Sequence, residues 1–70
     1  MLIRIDDHAL VNELCVHFTR SGFSAESVGG GMVEVIRPDA PSEDQERREL
    51  VLHLRVWEVL KPLATTTVVS

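Results

Sequence analysis

Seventy residues carrying seven basic and eleven acidic side chains, with a formal charge of −4, make one domain spanning 1–70 whose surface a phosphate backbone repels, so nucleic acid is not an expected partner. The single cysteine, Cys15, excludes an intrachain disulfide and the thiolate cluster of a structural zinc site, and no apolar run approaches the roughly 20 residues of a membrane span. A core of this size supplies only about 3–5 kcal/mol, which leaves tight packing or association with another subunit as the route to stability.

Leu2 to Ile5 is a short β-rich run stopped by Asp6-Asp7. Either aspartate can cap the helix that follows, because a carboxylate there accepts from the open first-turn amides. From His8 to Ser21 the apolar residues Leu10, Val11, Leu14, Cys15 and Phe18 fall within about 140° of arc at 100° per residue, which is one buried face. Gly22 follows as a left-handed stop, with Phe23 placed to pack back on the helix end.

Phe23 to Val28 and Met32 to Arg37 read as two further strands around Gly29-Gly30-Gly31. Phosphate-cradling glycine loops run from a strand into a helix, whereas strand-like sequence lies on both sides here, so the glycines predict a hairpin turn. Pro38 and Pro41 end the third strand, since proline cannot donate to a ladder. Ser42-Glu43-Asp44-Gln45 is a capping box, and Glu43 and Asp44 stand four residues before Arg47 and Arg48, the favourable order for helical ion pairs. The second helix is expected to run to Leu60 or Lys61, before Pro62. Residues 64–70, rich in Thr and Val, suit a final edge strand that can fray.

The order β-α-β-β-α-β predicts an α+β ferredoxin-like sandwich, two helices on one face of a four-stranded antiparallel sheet. The first and third strands are then central. Ile3, Ile5, Val33 and Val35 face the helices, and Arg4 and Glu34 are left on the open face as a cross-strand pair. A three-stranded sheet with a loose tail is the alternative.

This topology hosts many functions, so each is tested on residues. RNA-recognition domains stack bases on aromatics of the central strands, and neither Leu2–Ile5 nor Met32–Ile36 holds one. Heavy-metal domains of this shape carry two cysteines after the first strand, where this chain reads Asp6-Asp7-His8-Ala9. Capping by the aspartates beside a solvated His8 is the simpler account, and His17, nine residues on, lies on the opposite side of the helix. Acylphosphatase-like enzymes need an arginine in that loop, and Arg4 lies within the strand. Cys15 sits on the apolar helix face, where a thiol is inert packing. His53, among Leu50, Leu54, Trp57 and Leu60, reads as a core or interface histidine. No catalytic, cofactor-binding or metal residue is assigned.

The stretch from Asp6 to Val11, followed by a helix and Gly22-Phe23, resembles the ACT domain, whose first strand leads into Asp-x-Pro-Gly-x-Leu. The likeness spans roughly residues 3 to 35, with His8-Ala9 in place of Pro-Gly. It implies a dimeric regulatory module that senses a small molecule at the first-strand loop or a dimer interface.

The primary expectation is a non-enzymatic module acting through protein–protein contact, as a homodimer or by docking another protein. The opening Met1-Leu2-Ile3-Arg4 has no signal-peptide pattern, which with the lone thiol predicts a cytoplasmic setting, and the excess of arginine over lysine hints at a GC-rich bacterium. The interface is expected on the second helix. With Leu50 set at 0°, Leu54 and Trp57 stay within about 40° while Leu52, Val56 and Val59 cluster near 180–240° and Leu60 near 280°. The apolar sweep is about twice the roughly 100° stripe that a surface helix needs. Leu52, Val56, Val59 and Leu60 are therefore the candidate interface.

Overall fold

Alternation of branched apolar and charged residues places β1 (Leu2–Ile5) and β3 (Met32–Ile36) side by side at the centre of the sheet. The computed structural model describes residues 1–69. It is a small α+β fold with two helices and a four-stranded antiparallel sheet, in the order β2-β3-β1-β4, where β2 is Ser24–Gly29 and β4 is Thr66–Val68. Ile3, Ile5, Val33 and Val35 are fully buried while Arg4 and Glu34 between them are exposed, so one sheet face is covered and the other open. Leu14 and Phe18 from α1 (Val11–Arg20), and Leu50, Leu54 and Trp57 from α2 (Glu43–Leu60), close over the buried face in one continuous core.

The ends of α1 follow from local chemistry. Asp7 Oδ1 accepts from the Ala9 amide at 3.0 Å, which organises a 3₁₀ turn, His8–Leu10, ahead of the α-helix. The helical face expected from His8 thus begins as the tighter turn. At the other end, the Gly22 amide donates to Thr19 and the Phe23 amide to the Phe18 carbonyl at 3.0 Å, with Gly22 at φ 91°. This is a Schellman stop, and its apolar contact is Phe23 edge-on to Phe18 at 5.5 Å between centroids.

The three-glycine turn is a hairpin, with Gly29, Gly30 and Gly31 all at positive φ, and a bulge interrupts the β2–β3 register between Ser27 and Gly29. Gly31 is required twice over. Its φ is 73°, and a β-carbon there would stand 2.5 Å from His8 Nε2 and 2.8 Å from the Ile5 carbonyl.

Several expected pairings are replaced. Ser42 Oγ caps the Gln45 amide at 3.1 Å, but Gln45 Nε2 donates to Glu49 at 3.1 Å instead of returning to the cap, so half of the capping box forms. Glu43 and Asp44 make no ion pair with Arg47 and Arg48. The register sets Arg4 opposite Met32 and Leu2 opposite Glu34, and Glu34 lies 3.7 Å from the Met1 amino group, so the Arg4–Glu34 pair is not made. The last strand narrows to Thr66–Val68, and Ser70 lies outside the described residues. Among the described residues no helix is long and apolar enough to cross a membrane.

Candidate functional site

Helix α2 has two apolar stripes. Leu50, Leu54 and Trp57 face the core, whereas Leu52, Val56, Val59 and Leu60 are 61, 47, 79 and 64 % exposed. The outer stripe arises because apolar residues recur at both angular positions of one helix, and a sheet can bury only one of them. Neither α1 nor the tail covers it, and Leu63, just beyond the helix, is itself exposed.

The cations along α2 divide into engaged and free. At its N-terminal half, the Arg37 backbone amide donates to Glu46 at 2.8 Å, the Arg37 guanidinium pairs with Glu49, and the same guanidinium stands 5.6 Å above the Phe23 ring. Lys61 at its end reaches Glu13 of α1 at 2.8 Å. Arg47, Arg48 and Arg55, all exposed, have no carboxylate within 4.0 Å among the described residues. Arg37 was not legible as a tether in the sequence, because its partners lie nine and twelve residues away across a turn.

Beside the outer stripe, α1 and α2 enclose an open groove of about 360 Å³. Trp57 and His17 floor it, Val16 and Leu60 form its walls, and Arg20 and Lys61 stand at its rim. His17 Nε2 lies 2.9 Å from the His53 carbonyl. A carbonyl only accepts, so that nitrogen carries the proton and donates. The His53 ring packs edge-on to Phe23 at 5.2 Å and stands 6.3 Å from the His17 ring, a half-buried position between the helices.

The first-strand loop is tied up in backbone contacts. Asp7 caps the 3₁₀ turn, and Asp6 Oδ1 accepts from the Thr65 amide at 2.8 Å while the Asp6 amide donates to Thr65 at 3.1 Å. One aspartate is therefore a cap, and the other fastens the start of the C-terminal strand to β1. The His8 imidazole lies over Gly31. No three His, Cys, Asp or Glu side chains converge among the described residues. Cys15 is half-buried against the core, and burial raises its thiol pKa above the ordinary 9.0. Set against protein-family models, curated proteins and solved structures, the chain matches none.

Proposed function

We propose that the chain is a ferredoxin-like module that works by protein contact, without chemistry of its own, through the outer face of α2. The occupant is a second copy of the chain or a helix of another protein. The β-α-β-β-α-β order with β1 and β3 central supports the ferredoxin-like reading. The observation that carries the contact reading is the run Leu52, Val56, Val59 and Leu60, solvent-exposed on a helix whose other face is already buried. Their exposed parts amount to roughly 300 Å² of aliphatic surface, at the low end of the largest apolar patch on a typical monomer, a patch that is often functional. Of the first-strand loop side chains weighed for chemistry, Asp6 and Asp7 hold backbone amides and the His8 imidazole lies over Gly31.

Sedimentation equilibrium at micromolar concentration tests the self-association arm. A dimer that Val56→Asp splits, with helix content retained, supports it. A monomer that binds no helical peptide on this face defeats the contact reading altogether. The ACT-like alternative places a metabolite against the first-strand loop, where His8 already lies over Gly31. A thermal-shift response to an amino acid or nucleotide would favour it.

A further inference from the structure

The apolar stripe alone does not choose its occupant, but the charges beside it do. Leu52, Val56 and Val59 are spaced four and three residues apart, the d-a-d interval of a helix–helix seam. In that frame Arg48 and Arg55 fall at the two successive g positions, and His53 and Leu60 at e, the flank on which His17 of α1 reaches the His53 carbonyl and Leu60 lines the groove with α1. Both arginines are exposed, and among the described residues neither has a carboxylate within 4.0 Å, although the chain carries eleven acidic side chains.

Self-pairing leaves them unsatisfied in either direction. An antiparallel pair of α2 helices sets the g flank against itself, arginine against arginine. A parallel pair sets it against e, where His53 is packed on Phe23 and Leu60 is aliphatic. Like charges across such a seam act against the symmetric complex. Arginine is also the cation best suited to an interface, because its planar fork meets a carboxylate with two parallel bonds and gives up its weak hydration readily.

We infer that the outer face of α2 takes an amphipathic helix of another protein whose apolar seam is flanked by glutamate or aspartate at seven-residue intervals. The inference rests on the reading of this face as a protein-contact surface, and it excludes a second copy of the chain as the occupant there.

Two labelled synthetic helical peptides test it, both with leucine at every a and d position, one with glutamate and the other with lysine at every e and g. Fluorescence anisotropy is read against the intact chain at low and raised salt. The glutamate peptide is expected to bind at least about tenfold more tightly, the scale of two guanidinium contacts turned from attraction to repulsion, with the preference shrinking as salt screens it. In the Arg48→Glu/Arg55→Glu double variant, with an unchanged circular dichroism spectrum, the preference should invert. Equal binding of the two peptides, or a preference that survives the double variant, overturns the inference. A wild-type dimer split by Val56→Asp also overturns it, while leaving the contact reading intact. If the chain is monomeric and neither peptide binds, both fall.

Discussion

The two stripes of α2 present the same chemistry under opposite conditions. Leu54 and Leu52 are the same residue type two positions apart on one helix, yet Leu54 is 4 % exposed in the core while Leu52 stands in solvent. What separates them is the sheet. Ile3, Ile5, Val33 and Val35 form one apolar surface, and it meets only the side of the helix that carries Leu50, Leu54 and Trp57. Burial of a stripe is thus a property of what the sheet offers, not of the stripe. Helix α1 shows the contrast: Leu14 and Phe18, its two fully buried side chains, both turn to the sheet.

The largest expected effect comes from removing the inner stripe. Trp57→Ala or Leu54→Ala leaves a cavity under α2 that the well-packed sheet cannot collapse to fill, at about 2–5 kcal/mol. Against the few kcal/mol that a core of this size supplies, these variants should be substantially unfolded at ambient temperature by urea titration. A loss below 1 kcal/mol for Trp57→Ala would mean that α2 is not held by this face.

Next comes the turn that positions β3. Gly31→Ala combines a left-handed backbone with a β-carbon 2.5 Å from His8 Nε2, and the backbone part alone costs about 1–2 kcal/mol. Adding His8→Ala should recover the share due to the imidazole and leave the share due to φ and to the Ile5 carbonyl, so a double-mutant cycle separates the two. The hairpin was legible because three consecutive glycines between strand-like runs admit few other readings. The packing of His8 on the third glycine was not, because it joins residues 23 positions apart that no local rule connects.

The same division runs through the rest of the molecule. Elements set by neighbours in sequence came through: the Gly22 stop with Phe23 folded onto Phe18, the Ser42 cap, and the alternation of the central strands. Pairings of long, flexible charged side chains did not. Glu49 binds Arg37 as well as Gln45 one turn back on its own helix, because the turn at 37–42 brings the end of β3 back over the first turns of α2. The exposed stripe was visible as an excess of apolar arc, whereas that Arg48 and Arg55 meet no carboxylate among the described residues needed the three-dimensional positions of those carboxylates.

A smaller effect is expected at the first-strand loop, where Asp7→Ala removes the acceptor for the Ala9 amide at about 0.5–2 kcal/mol. Asp6→Ala should instead loosen the start of β4, seen as faster hydrogen exchange at Thr65 with α1 unchanged. Cys15 gives a related local measure. Its folded thiol pKa is raised by burial, so the proton is held more tightly in the native state, and the associated stability is present below the unfolded thiol value and lost as pH climbs through the raised one. Alkylation by iodoacetamide near pH 9 should be slower in the native chain than in urea, and equal rates would show that the thiol is not shielded by its packing against the core.

The smallest effect should fall on the outer stripe. Leu52→Ala removes the same atoms as Leu54→Ala, but most of the side chain is already in water, so little transfer energy is lost and no cavity is left behind. Alanine is also the better helix former by a few tenths of a kcal/mol, which offsets part of what contact there is. The net change in the stability of the isolated chain should stay under about 1 kcal/mol, within the range of ordinary surface substitutions. The two leucines should therefore differ in stability by a margin set almost wholly by the sheet. In binding the order should reverse, because Leu52 is the residue of the pair that a docked helix would touch. A Leu52→Ala variant as unstable as Leu54→Ala would mean that something in the chain already covers the outer stripe, and the surface assigned to a partner would not exist.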